Sequence, residues 1–149
     1  MNRKFNIVVA DDDSSDLELL QLAVERSGVP ANVHEVRDGQ EAIEYLEGAN
    51  PFTDRQLHPF PDLLILDLKM PRMDGFQVLD WLRAHPDCGQ LPVVMLSSSS
   101  LERDVEEAYR RGANTFFTKP MDYGKFSDLV RLMIHYWIQS QRPVSTARS

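Results

Sequence analysis

Short aliphatic runs recur along the chain, and between most of them lie longer stretches in which apolar positions return every three or four residues. The runs are Ile7 to Ala10, Val33 to Val36, Leu63 to Leu66, Val93 to Leu96 and Thr115 to Phe117. Continuous apolar runs bounded by turn residues read as strands covered on both faces. Strands alternating with helical segments predict an α/β fold in which helices cover a parallel sheet. The first helix follows from Leu17, Leu20 and Val24, with Ser14, Ser15 or Asp16 able to cap its start and Gly28 placed to end it. The second is predicted from about Gln40 to Glu47, the third from about Gly75 to His85 before Pro86, and the fourth from about Leu101 to Arg111 before Gly112.

The last helix, from about Tyr123 to Gln141, carries Phe126, Leu129, Val130, Met133 and Trp137 on the stripe predicted to cover the sheet. Leu132, Tyr136 and Ile138 fall off that stripe. They are either scattered exposed apolar residues or a self-association or partner face. Residues 142–149 read as a frayed tail. The connection from Gly48 to Pro61, with Pro51, Pro59 and Pro61, is longer than usual between a helix and a strand. It is either a binding loop or a tolerated insertion.

Size adds that 149 residues with 42% hydrophobic content suit one buried core, so residues 1–149 are expected to form a single domain with its core at about 5–141. A net charge of −7 without a basic stripe argues against a nucleic-acid surface. Cys88 is the single cysteine, and neither a signal-like apolar segment nor a membrane-length stretch is present, so a cytoplasmic protein that does not engage a membrane is expected.

Chemistry collects at the ends of the runs. Asp67 follows Leu63 to Leu66 directly, and Asp11, Asp12 and Asp13 follow the first run. In open parallel sheets the crevice beyond the strand C-termini is where ligands sit, so these carboxylates are expected to converge if both strands are central. Like charges that close raise one another's pKa unless a proton or a divalent cation intervenes. Oxygen-only donors favour a hard metal, so Mg²⁺ is the inferred cofactor. Asp13 suits an N-cap, which leaves Asp11 and Asp12 for the metal. The fourth run ends in Ser97 to Ser100 and the fifth in Thr118, Lys119 and Pro120. Singly, a serine run is a capping loop and a Lys-Pro pair a turn. Together with the carboxylates they suggest a phosphoryl site, in which a cation and an ammonium neutralise charge and a hydroxyl donates to an oxygen.

With its acidic pair, LLILDLKMPRMDG, a strand ending in Ser, and FFTKP in that order, the chain resembles the receiver domains of two-component response regulators over residues 5 to about 140. The resemblance implies a doubly wound, flavodoxin-like sheet of strand order 2-1-3-4-5. It implies that Asp67 accepts phosphate from a sensor histidine kinase or a phosphotransfer protein, without being a turnover enzyme. Asp12, Asp67 and the backbone carbonyl of Lys69 would hold Mg²⁺, with Asp11 acting through water. Ser97 and Lys119 would bind phosphoryl oxygens, Phe116 would be the aromatic that rotates with the hydroxyl, and Lys69 and Ser99 would tune dephosphorylation. A cis Lys119-Pro120 bond and output through the fourth helix, fifth strand and fifth helix, including homodimerisation, are likewise implied. With no output domain expected after residue 141, action by contact or relay follows. The length, the long 48–61 connection and the aromatic last helix look like the small regulators associated with phytochrome-type kinases.

Two other readings compete. Asp11-Asp12-Asp13 contains the Asp-x-Asp of haloacid-dehalogenase-type phosphatases, but no cap domain is recognisable. A flavodoxin-like scaffold without phosphorylation is the other, although acids occupy the place of a phosphate-cradling loop. His34, His58, His85 and His135 are dispersed and have no metal-ligand spacing.

Overall fold

The computed structural model describes residues 4–140. Its five strands, β1 (Phe5–Ala10), β2 (Ala31–Val36), β3 (Leu63–Leu66), β4 (Val93–Ser97) and β5 (Thr115–Thr118), form one parallel sheet in the order β2-β1-β3-β4-β5. The helices are α1 (Ser14–Arg26), α2 (Gly39–Glu47), α3 (Gly75–Ala84), α4 (Glu102–Arg110) and α5 (Tyr123–Gln139). Fold class and strand order are those expected, and element bounds differ by only a residue or two.

The period-2 geometry of a strand explains why the central runs are apolar throughout. Val8, Ala10, Leu64, Leu66, Val93 and Met95 face one core with residues of α2 and α3. Their neighbours Ile7, Val9, Leu63, Ile65, Val94 and Leu96 face the other, with residues of α1 and α5. Each valine, leucine, isoleucine or methionine so buried contributes roughly 1.5–3 kcal/mol, and Ala10 less.

Asp13 is the residue that caps α1, its carboxylate accepting the Ser15 and Asp16 amides at 2.9 and 3.1 Å, so Ser14, Ser15 and Asp16 lie inside the helix. Ile138 departs from the expected face: it is half-buried and packs on the α1/α5 core with Trp137. The apolar arc of α5 is wider than one stripe, since Ile134 is fully buried beside Met133 and Ile138 continues it one turn on. Leu132 and Tyr136 do lie outside, each 63% exposed. The expected tail at 142–149 lies outside the described residues.

The segment after α2 is a packed connection. Arg55 donates to the carbonyls of Tyr45, Leu46 and His58 at 2.7–2.9 Å, satisfying free carbonyls at the end of α2. The Tyr45 hydroxyl bonds the Pro59 carbonyl, and the rings of Phe52, His58 and His34 surround Tyr45. Asn50-Pro51 is cis. No described helix is long and apolar enough to cross a membrane.

Candidate functional site

Register decides which residues meet. Ala10 lies opposite Leu66, so Asp11 and Asp67 leave adjacent strands at the same level. Ser97 lies opposite Thr118, which sets Lys119 beside it, and the Lys119 amide donates to the Ser97 carbonyl at 2.7 Å. A cleft of about 460 Å³ opens there, lined by Asp12, Asp16, Asp67, Lys69, Ser97 and Lys119 among others, and by nothing from the 48–61 segment.

Carboxylate oxygens of Asp11, Asp12 and Asp67 all lie within 4.8 Å of one another. Asp11 and Asp67 are buried and Asp12 is exposed. Three hard oxygen donors, one of them facing water, suit a small divalent cation that keeps part of its hydration. Burial pushes the Asp67 carboxyl up to about 6; Lys119 pulls against this and the Asp11 charge adds to it. One Asp67 oxygen accepts the Leu68 amide at 2.8 Å, which fixes the carboxylate's orientation.

The Lys119 ammonium, with its side chain 8% exposed, touches three carboxylates: Asp11 and Asp16 at 2.7 Å and Asp67 at 3.4 Å. Burial would lower its pKa, but the bonds to Asp11 and Asp16 outweigh that and hold it above the usual lysine value. Asp16 is the member that sequence reasoning assigned only to capping. It stands in the first turn of α1, where side chains tilt back toward the helix start and therefore over the strand ends. Its place three residues after the Asp13 cap, in the first turn of a helix that begins at the end of β1, was the available signal.

Ser97 is buried, its hydroxyl accepting the Ser99 amide at 3.3 Å. The Ser99 hydroxyl in turn donates to Asp104 of α4 at 2.6 Å. Phe116 is half-buried against the α2/α3 core, and its amide donates to the hydroxyl of Tyr109 on α4 at 3.0 Å. Lys69 is exposed at the cleft. The Lys119-Pro120 bond is trans, against expectation; Asn50-Pro51 is the only cis bond among the described residues. An X-Pro bond favours trans by about 0.5–1 kcal/mol unless its surroundings enforce cis. Leu132 and Tyr136 on α5 lie far along the helix from the cleft and line none of it.

The loop from Asp67 to Gly75 is fastened to the start of α2. Arg72, the one non-glycine among the described residues with positive φ (65°), pairs with Asp38 through two bonds of 2.9 and 3.2 Å. The Gly39 amide donates to the Met73 carbonyl at 3.0 Å, an approach so close that a β-carbon at position 39 would overlap that carbonyl.

The five-stranded parallel sheet in this order, with acids, a hydroxyl and a lysine at its C-terminal edge, is a receiver-type α/β fold, and the chain belongs to the response regulator receiver domain family, whose pattern matches residues 7–131. The sequence is 28% identical to response regulator Rcp1 of the cyanobacterium Synechocystis over 90% of this chain and 89% of that protein. Among solved structures, the phosphorylated cyanobacterial phytochrome response regulator RcpA superposes with a TM-score of 0.89 at 31% identity, covering 95% of this chain and all of that one. RPA3017, a regulator in red-light signalling of R. palustris, gives 0.88 at 32% identity over 95% of this chain and 99% of its own. The Mn²⁺-bound form of Rcp1 gives 0.85 at 28% identity, over 94% and 99%. Membership disfavours the phosphatase and unphosphorylated-scaffold readings.

Proposed function

We propose that this protein is the phosphoacceptor of a two-component phosphorelay and that Asp67 is the residue modified. The observation that carries this reading is the convergence of Asp11, Asp12 and Asp67 within 4.8 Å, faced by Lys119. An Asp67 oxygen attacks the phosphorus of a phosphohistidine on the donor kinase or phosphotransfer protein. A P–O bond forms, the P–N bond breaks, and the imidazole leaves with the electron pair and takes up a proton. Asp67 is held by the Leu68 amide at the end of β3, which supplies positioning. Lys119 offers its ammonium, and Ser97 its hydroxyl, to oxygens of the incoming group.

Asp12, Asp67, the Lys69 carbonyl and, through water, Asp11 are the residues that would hold Mg²⁺. Such a cation neutralises charge on the transferring phosphoryl group. Lys69 and Ser99 flank the acceptor in the same cleft and tune the later attack of water on the acyl phosphate. The structural kinship with phytochrome response regulators supports a phytochrome-type histidine kinase as donor and the cytoplasm as the place of action. Ser97 and Phe116 adjoin α4 through Ser99 and Tyr109, which supports a signalling or homodimer surface on α4, β5 and α5 that includes Leu132 and Tyr136. The reading takes residues 1–149 as a single receiver domain.

Intact-mass measurement after incubation with acetyl phosphate and Mg²⁺ tests it. One phosphoryl addition is expected on the parent and none on Asp67→Asn, while Lys119→Ala retains metal binding and is labelled weakly. An unmodified parent, or equal labelling of Asp67→Asn, sinks the reading.

A further inference from the structure

We propose that Asp16 is a positioning residue that parks the Lys119 ammonium away from the acceptor, and that release from Asp16 governs how readily the site takes and keeps a phosphoryl group. The proposal rests on the phosphoacceptor reading of Asp67.

Lysine has three ammonium donors, and each points at a different carboxylate. The two short contacts, at 2.7 Å, go to Asp11 and Asp16, and the long one, at 3.4 Å, goes to Asp67. The group that is to carry the phosphoryl therefore has the weakest hold on the cation meant to neutralise it. Asp11 is buried in the carboxylate cluster and is not free to leave. Asp16 is different: its side chain is 26% exposed, against 7% for Asp11 and 10% for Asp67, and it sits in the first turn of α1. There the helix dipole stabilises its charge without Lys119. Giving up Asp16 thus costs less than giving up either buried partner.

A phosphoryl group on Asp67 brings further negative charge into the same cleft, and the ammonium has to redistribute toward it. Asp16 is the partner that competes with that movement. Removing its charge, while keeping its shape and its place in α1, shifts Lys119 toward Asp67 before any phosphoryl arrives.

Asp16→Asn is expected to label from acetyl phosphate with Mg²⁺ faster, and to bind beryllofluoride, a phosphoryl mimic, more tightly. Both effects should be about three- to tenfold, the scale of one charge-assisted hydrogen bond redistributed. Asp16→Glu, which restores the carboxylate, should return toward the parent. Asp13→Ser keeps an α1 cap and removes a neighbouring cleft charge, so it separates general repulsion of the anionic donor from the specific contact; it should change either rate or affinity much less. A crystal structure of metal-free Asp16→Asn should show the Lys119 to Asp67 hydrogen bond shortened from 3.4 Å to about 2.8 Å. An unshortened contact overturns the proposal, and so does an equal gain in Asp13→Ser or a parent-like or slower Asp16→Asn. A parent that takes no label removes the phosphoacceptor reading itself, whereas a labelled parent with an unchanged Asp16→Asn removes only the role of Asp16.

Discussion

The two successive units β3-α3 and β4-α4 each deliver a site residue from a strand end, Asp67 and Ser97, yet their helices are fastened by different physics. Helix α3 buries Gly75, Val78, Leu79 and Leu82 and opens on a reciprocal capping box between Asp74 and Gln77. Helix α4 buries only Ala108 and has no side-chain cap bond at Leu101. Its attachments are polar: Ser99 to Asp104, Tyr109 to the Phe116 amide, and Arg111 to Asp80 at 2.8 Å. Apolar burial is lost steeply when a helix shifts, whereas polar contacts that are exposed or only partly buried are replaced by water at a smaller cost. The acceptor thus belongs to the rigid unit, and the hydroxyl to the one able to move.

The largest test of this contrast is truncation. Leu79→Ala in α3 should lower stability by about 2–4 kcal/mol in urea unfolding, while Val105→Ala, half-buried on α4, should cost about 1 kcal/mol or less. Equal losses break the comparison.

Next comes the pH dependence of the rigid unit. Asp67 is held with a pKa near 6, above that of the unfolded chain, so the folded protein keeps its proton longer than the unfolded one does. The favourable contribution is therefore complete below about pH 4 and is lost as pH rises through 6. In metal chelator, Asp67→Asn should gain on the parent by on the order of 2 kcal/mol between pH 4 and 7. A difference independent of pH would place the acceptor in a wetter setting than the structure gives it.

The smallest expected effect is local. Ser99→Ala removes the bond to Asp104 and should cost about 1 kcal/mol. It should also raise amide exchange across the first turn of α4 and leave α3 unchanged. Uniform exchange in both helices would mean that α4 opens only with the whole domain.

The buried strands and the residues at their ends were the legible parts. Five apolar runs marked the strands because both sheet faces are covered, and Asp67, Ser97 and Lys119 were visible because each directly follows such a run. What escaped depends on three-dimensional overlap. Asp16 reaches Lys119 across a separation of 103 residues, through the tilt of one helical turn, and local spacing reads it as a capping residue. Ile138 packs inward because the core shared by α1, α5 and the sheet covers a wider arc of α5 than a single stripe. Tyr109 and its bond to the Phe116 amide leave no periodic trace, since the acceptor is one hydroxyl on a helix with little apolar face.

Gly39 extends the boundary of the site in a way that no list of charged groups would. The Met73 carbonyl occupies the space where any other residue at this position would place its first carbon, so even alanine there would lift the loop that begins at Asp67 and carries the Lys69 carbonyl. Position 39 has no chemical part in phosphoryl transfer. For an engineer varying this chain, it nevertheless belongs among the forbidden positions beside Asp67, and a library that spares only the polar cleft would discard the protein at a hydrogen atom.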